Sequence, residues 1–466
     1  MKKELLKVII FCLVLFTTNS SAQCWKSISA GSDHVLALKI DGSLWAWGVN
    51  TEGVLGDGTF VNKSSPTQIG TATDWSKIDT GAYKSFAIKT NGTLWAWGKN
   101  TEGELGNGTK ISSNIPIQIG TDSNWIEVKS AYAHTLALKN DGTIWVWGRN
   151  YSFQLGNDTT LPSYIPIQVG VANDWAKIEA SDLSSFAIKT NGTLWAWGGN
   201  GVGNLGNGTT TNIGIPTQIG TDTNWAKIST NGLTNTLAIK TNGTLWAWGN
   251  NLHGQIGNGT TEGVTLGSPS ITAPVQIGTA TNWAEVASDI HSLAIKTTGS
   301  LWAWGRNLDG SLGNGTEIDR YVPTAIGFAT NWNKLSNNQK ISYSIKSDGN
   351  LWAWGNNQSG RLGDGTTINR LSPVLIPCPT TLSNSDFNNA IKFSVYPNPA
   401  NGLIKIESIE KEIKKIEIID FLGKVVLIKN VNSTYSAIDI SNLQNGIYLL
   451  KVYIENETKT FKIMKN

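Results

Sequence analysis

Short apolar runs separated by polar turns recur along this chain. In one stretch they are Trp75-Ser-Lys-Ile78, Ser85-Phe-Ala-Ile-Lys89, Thr93-Leu-Trp-Ala-Trp97 and Pro116-Ile-Gln-Ile119. Runs this short, bounded by Gly, Asn and Asp, predict β-strands. Asn91-Gly92 stands between the second and third runs and predicts a tight hairpin with positive φ at both turn residues. The same slot holds Asp41-Gly42, Asp141-Gly142, Asn191-Gly192, Asn242-Gly243 and Asp348-Gly349, with Thr298-Gly299 as the departure.

The four-strand pattern repeats. Trp25, Trp75, Trp125, Trp175, Trp225, Trp283 and Trp332 each open a unit. A pair two residues apart follows in each: Trp45/Trp47, Trp95/Trp97, Trp145/Trp147, Trp195/Trp197, Trp246/Trp248, Trp302/Trp304 and Trp352/Trp354. Together they account for all 21 tryptophans. Four strands per unit, seven times over, predict a seven-bladed β-propeller, because one blade is too small to bury its own faces. Residues two apart on a strand point to one face, so the paired indoles are expected to form layers between blades. Composition agrees with this all-β reading: 50 Gly and 13 Pro against 2 Met do not describe a helical bundle.

The repeat carries Gly31-x-x-His34-x-x-Ala37-Leu38, Asp41-Gly42-x-Leu44-Trp45-x-Trp47-Gly48 and Asn50-x-x-Gly53-x-Leu55-Gly56. It resembles the regulator of chromosome condensation repeat over about Trp25 to Pro377. The resemblance implies a propeller that binds proteins; the family includes a nuclear guanine-nucleotide exchange factor and a secreted bacterial inhibitor of β-lactamases. Exchange activity is not carried over. The formal net charge of +3 gives no field for chromatin, and no nucleic-acid partner is expected.

Lys2, Lys3 and Lys7 precede an apolar run from Val8 to Phe16, and Ser20-Ser21-Ala22 follows. Residues 1–22 are expected to be a secretory signal peptide, cleaved near Ala22–Gln23. The run is too short to span a bilayer, and no transmembrane segment is expected in the mature chain. Gln23 does not suit a lipid anchor on Cys24, which wants a small residue before it. Cys24 and Cys378 bracket the repeats, and a closed ring brings those ends together. Either a disulfide joins them or both are free thiols; the expectation is the disulfide.

A polar linker over 379–390 separates the propeller, 23–378, from a different composition over 391–466, where Trp vanishes and Ile and Lys rise. Ile404-Lys-Ile406 and Ile416-Glu-Ile418 alternate as half-buried strands do, so a small C-terminal β-sandwich is expected. Tyr396-Pro-Asn-Pro-Ala-Asn-Gly402, Asp420-Phe-Leu-Gly-Lys424, Asp439 through Val452 and the basic end Lys462-Ile-Met-Lys-Asn466 look like the type A C-terminal sorting domain of the type IX secretion system. The resemblance implies that this domain is recognised by type IX export machinery, which puts the protein outside the cell or on its outer surface.

No catalytic constellation is legible. His34, His134 and His291 share one slot of the repeat with Lys84, Ser184, Asn235 and Ile341, and a slot that accepts Ile is no catalytic requirement. No zinc spacing, nucleophile elbow or clustered carboxylate–histidine set appears, and no catalytic residue, cofactor or metal is expected. Gly106-Asn-Gly-Thr109 and its copies read as turns.

Strand alternation puts the first-to-second and third-to-fourth connections on one rim, whose sequence varies. The Asn-Gly turns lie on the other, nearly invariant rim. Tyr83, Lys84, Tyr132, Tyr151, Phe153, Tyr164, His253, Arg306, Arg320, Tyr321 and Arg361 fall on the variable rim and are the expected partner-binding residues, since interfaces favour Tyr and Arg. The stretch from Gly259 to Pro274 is longer than its counterpart Gly108 to Pro116; it reads equally as a tolerated insertion or a contact loop. The function expected is rigid-surface binding of a protein or glycan. Alternatives are a secreted polysaccharide lyase or hydrolase, needing acid–base groups at the channel or rim, and a structural adhesin.

Overall fold

The computed structural model describes residues 23–232, 235–261, 270–379, 393–408, 411–420, 423–454 and 457–465. The expected signal peptide, most of the linker and the tip of the long fifth-blade loop lie outside them. The chain divides into two compact units, 1–378 and 379–466.

The first unit is a seven-bladed propeller. Blade one holds β1 (Trp25–Ala30), β2 (His34–Lys39), β3 (Leu44–Gly48) and β4 (Lys63–Gln68), antiparallel and paired in that order. Six more four-stranded sheets repeat it, the last running from Trp332 to Ile376. First strands line the axis and fourth strands form the outer edge. Each outer strand carries a proline, Pro66, Pro116, Pro166, Pro216, Pro274, Pro323 and Pro373. A residue without an N–H on a free edge hinders pairing with another chain. These strands start earlier than the apolar pattern suggests, at Ser113 rather than Pro116 in blade two, because Ser113 pairs with Gly98 across a bulge.

The hairpins also differ from expectation. Gly92 has φ 79°, but no Asn or Asp of this slot has positive φ. Gly92 N–H donates to Lys89 O and Lys89 N–H to Thr93 O, which describes a turn closed by one left-handed glycine. Asn91 serves instead as an acceptor for the Thr93 N–H at 3.1 Å. Thr298 therefore fits its slot without strain, its hydroxyl meeting that of Ser300 at 3.0 Å.

Blades are joined by the second tryptophan of each pair. Trp47, Trp97, Trp147, Trp197, Trp248, Trp304 and Trp354 are all fully buried. Each indole N–H reaches a backbone carbonyl of the preceding blade: Trp97 to Val54 at 2.8 Å, Trp147 to Glu104 at 2.8 Å, and Trp47 back to Arg361 at 3.0 Å. A glycine lies against each of these rings. A Cβ on Gly106 would fall 2.6 Å from Trp147 Nε1, and its φ is +78°. The first tryptophans lie edge-to-face on the first of each pair, Trp75 on Trp95 at 5.9 Å, with Lys89 Nζ 5.0 Å from the Trp95 ring.

Ring closure is covalent as well. Cys24 and Cys378 form a disulfide with Cα atoms 6.0 Å apart. Beside it Trp25 N–H donates to Gly349 O, and on the other rim Gly365 N–H donates to Ser64 O between the same two blades.

The second unit has two sheets. Phe393–Tyr396, Leu403–Ser408 and Tyr435–Asp439 pair in that order in one. Val425–Ser433, Ile413–Ile419, Gly446–Ile454 and Glu457–Lys465 pair in that order in the other. Ile404, Ile406 and Ile438 from the first sheet share a core with Ile416, Ile418, Leu450 and Val452 from the second. The lysines and glutamates between them face outward, as the alternation predicted. Tyr396-Pro397 and Asn398-Pro399 are cis.

Two outcomes test this account. Trp97→Phe strips a buried carbonyl of its indole donor, whereas the Trp75 N–H has no acceptor to lose. In urea unfolding, Trp97→Phe is expected to cost about 1 kcal/mol more than Trp75→Phe. Removing the disulfide as Cys24→Ser/Cys378→Ser frees a loop spanning a sequence separation of 354 residues. The chain-entropy model puts the loss at about 6 kcal/mol, seen as a lower denaturation midpoint with binding by the rim unchanged.

Candidate binding face

The variable rim is built on loops of one design. Asn50 is fully buried; its Oδ1 accepts the Leu55 N–H at 3.0 Å and its Nδ2 donates to Asp57 and to the Thr59 carbonyl. Asn100, Asn150, Asn200, Asn251, Asn307 and Asn357 hold the other third-to-fourth loops likewise. Each loop is also tied to the next blade's outer strand, as Gly108 N–H to Tyr164 O at 2.8 Å. The loop residues left to vary are thus displayed on a fixed frame.

The expected partner residues fall into separate groups. Tyr83 and Tyr132, both exposed, stack edge-to-face at 6.2 Å, with Lys99 5.3 Å from the Tyr83 ring. Tyr151 is exposed beside Arg149, and Tyr164 carries Lys110 at 4.7 Å. On blades five and six, His253 Nδ1 is 3.9 Å from Asp319, and Arg320 and the exposed Tyr321 adjoin. Burial lowers His253, and Arg306 lowers it further against the pull of Asp319. Tyr164, Arg320 and Tyr321 belong to outer strands rather than loops.

Three residues have other work than the free rim expected of them. Lys84 begins a second strand and is 1% exposed; its Nζ donates to Ala131 O at 2.6 Å and Tyr132 O at 3.1 Å. Burial lowers it to about 8, against the attraction of Glu104, Asp182 and Asp79. It positions the Tyr132 loop from beneath. Arg361 is buried, pairs with Asp33 at 2.7 Å and offers its carbonyl to Trp47, so it closes the ring between blades seven and one. Phe153 occupies a slot that is glycine in the other six blades and keeps that glycine's positive φ, 67°. The slot faces the second residue of the next outer strand, Tyr164 for Gly103 and Thr272 for Gly203. For Phe153 the residue at that register is Gly214, which presents no side chain.

The axis holds what sequence reasoning missed. Asp79, Lys129 and Glu179 occupy one position of three successive inner strands and line a cavity of about 250 Å³. Lys129 Nζ lies 2.9 Å from Glu179, and Asp79 accepts the Ser130 N–H at 2.7 Å. Burial raises Asp79 to about 7 despite Lys129, and raises Glu127 and Glu179. Burial works against the Lys129 charge, yet Glu179, Asp79 and Glu127 together push its pKa up. The sequence showed no clustered carboxylate–histidine set; the ring gathers carboxylates here around a lysine, without a histidine. Only their common place in the repeat could have signalled it.

Where the channel opens on the variable rim, a mouth of about 280 Å³ is lined by Asp33, Tyr83, Ser130, Tyr132, Asp182 and Asp289, among others. Blade six has one residue fewer in this connection than blades one to four, which draws Asp289 inward to 1% exposure. Burial raises Asp289 to about 7 against the Ile290 N–H, and Asp182 adds to the rise.

The shared histidine slot is structural. His34, His134 and His291 are buried, and Nε2 of each meets a hydroxyl on the next blade: Ser85 at 2.9 Å, Ser185 at 3.0 Å, Ser342 at 2.7 Å. In blade seven the slot holds Ile341, in the same apolar cluster as Val35 of blade one.

These features define a seven-bladed propeller with one divergent face, followed by a β unit of its own. Comparison with known proteins places it more narrowly. Residues 13–337 match the RCC1-like domain, 348–394 the regulator of chromosome condensation (RCC1) repeat, and 394–466 the secretion system C-terminal sorting domain. The chain belongs to the RCC1-like domain family and carries a secretion sorting domain. Protein RCC2 of Mus musculus is 39% identical over 88 residues, 18% of this chain and 16% of that protein. The ultraviolet-B receptor UVR8 of Arabidopsis thaliana is 32% identical over 101 residues, 21% of each chain. The aligned part thus spans about a fifth or less of these curated relatives. Among solved structures, human WBSCR16 superposes with TM-score 0.64 at 18% identity, covering 72% of this chain and 94% of that one. Prp20p of Saccharomyces cerevisiae gives 0.61 at 23%, covering 69% and 82%.

The histidines yield a pH prediction. Burial lowers His34, His134 and His291 to about 3, so they stay neutral in the fold while the unfolded chain takes up protons below about pH 6.5. Stability therefore falls as pH drops from about 6.5 toward 3, by about 2 kcal/mol per histidine at pH 5. His134→Asn, the side chain Asn235 already places in this slot, is expected to flatten the fall between pH 7 and 5 in urea titrations. An unchanged slope would show that His134 titrates alike in both states.

Proposed function

We propose that this protein is exported and binds a macromolecular partner, a protein in the first instance, through the rim that carries its first-to-second and third-to-fourth connections. Secretion to the cell surface is the reading supported by the sorting domain, with a signal peptide over 1–22 and type IX machinery as the route. The observation that carries the binding reading is the contrast between rims. One repeats the same turn from blade to blade, while the other displays the exposed Tyr83 and Tyr132 on first-to-second connections, Tyr151 on a loop pinned by the buried Asn150, and Tyr321 at the start of an outer strand. Exposed aromatic residues on a rigid frame lose little conformational freedom on binding. Prp20p, whose structure report names binding to Gsp1p and histones, has a propeller of the same fold.

The gathered channel carboxylates favour a second reading, an enzyme acting on polysaccharide. Two features stand against it. Lys129 sits among the carboxylates as their counter-ion, and the cavity of about 250 Å³ is below the roughly 300 Å³ at which ligand pockets begin. A polymer chain needs a longer groove.

The test is capture of partners from outer-membrane and culture-supernatant fractions by the immobilised propeller. Tyr83→Ala/Tyr132→Ala/Tyr151→Ala is expected to lose at least tenfold of the specifically captured partner, while Asn91→Ala/Asn191→Ala on the uniform rim retains it. The reverse pattern, or turnover in a glycan-depolymerisation panel, would overturn the reading.

A further inference from the structure

We infer that the channel mouth on the variable rim is a socket for one basic side chain of the partner, an ammonium or guanidinium on a flexible stem. The inference rests on the rim-binding reading above and names the chemistry at its centre. Asp289 is 1% exposed, yet among the described residues its carboxylate accepts only the N–H of its own neighbour Ile290, at 2.6 Å. Among the described residues no cation pairs with it. A buried carboxylate is costly unless a cation or several donors meet it. Asp182 stands close enough to interact with it unfavourably; Lys84 attracts Asp182 and does not act on Asp289, so Asp289 is the acid that wants a positive guest. Ser130, 9% exposed, lines the same mouth, and its hydroxyl has no hydrogen-bond partner.

Among the described residues the nearby cations do not meet Asp289. Lys84 donates to the Ala131 and Tyr132 carbonyls, Arg361 pairs with Asp33, and Lys340 lines the mouth but is exposed and makes no ion pair with Asp289. Tyr83 and Tyr132 complete the socket. Their edge-to-face pair offers an aromatic wall along which the stem and charge of a basic side chain can lie. The mouth, about 280 Å³, holds one such side chain and continues into the axial channel. The partner's remaining contacts would then fall on the surrounding tyrosines.

The test uses the full chain at pH 8 and three small probes: Nα-acetyl-arginine methylamide, Nα-acetyl-lysine methylamide and the neutral Nα-acetyl-citrulline methylamide. Ligand-detected NMR and calorimetry are expected to show a dissociation constant of about 1 mM for at least one basic probe and tenfold weaker binding of citrulline. Asp289→Asn is expected to abolish the basic-probe signal without lowering the urea midpoint, because the amide removes a buried charge; Asp182→Asn weakens it. Equal binding of all three probes, none at all, or an undiminished signal in folded Asp289→Asn overturns the socket. Partner capture by the rim separates the two readings. Capture that survives Asp289→Asn, with no basic-probe binding, sinks the socket and leaves the rim standing. Probe binding that needs Asp289, with no partner captured, leaves the socket and sinks the rim.

Discussion

Seven indole N–H groups, each donating to a carbonyl of the preceding blade, set the geometry on which everything else rests. A tryptophan buried with its N–H satisfied fixes distance and angle at once. The glycines lying on these rings leave no room for any other residue, so the third-to-fourth loops all leave the sheet along one path. Trp47 performs the same act across the gap between the ends of the chain, reaching Arg361, and the disulfide locks what that contact aligns. Because the frame is set by groups facing inward between blades, the residues facing the rim are released from structural duty.

Departures from the repeat divide into two kinds. Some are matched by a change in the adjoining blade. Phe153 and Asp158, both at positive φ, stand where other blades have glycine, and Gly214 stands opposite them; a Cβ there would lie 2.4 Å from Asp158 Oδ1. Ile341 replaces a polar residue where the neighbouring contact is with apolar Val35 rather than a serine. Such matched pairs preserve packing and ask for no further explanation. Tyr83, Tyr132, Asp182 and Asp289 are of the other kind. They converge on one face, and the shortened connection in blade six even buries an acid there with no counter-ion among the described residues. Unmatched departures concentrated in one place are what a binding surface leaves on an otherwise self-consistent fold.

Charge follows the same logic along the axis. Each inner strand offers the lumen one side chain per level, so ring curvature brings together residues from successive repeats. Lysines 77, 177, 227 and 334 share their level with Glu127 and Glu285, and Lys227 pairs with Glu285. The next level holds Asp79, Lys129 and Glu179, and the mouth holds Asp182 and Asp289. The axis thus grades from lysine-rich at the uniform rim to acidic at the variable one.

The number of blades, the burial of the second indole of each pair, the place of the hairpins, the closure through Cys24 and Cys378 and the alternation of the C-terminal strands were all legible in the order of residues, whereas the first indole of six pairs is only half-buried. Each depends on local periodicity or on exact repetition of a short unit, which a linear string displays directly. The turn conformation, the burial of Lys84 and Arg361 and the meeting of Asp79, Lys129 and Glu179 were decided only by the closed ring. Those depend on which side chains of neighbouring blades converge on the axis, on the gaps between blades, and on how one missing residue pulls Asp289 out of water. Distances across a closed circle are not written in separation along the chain.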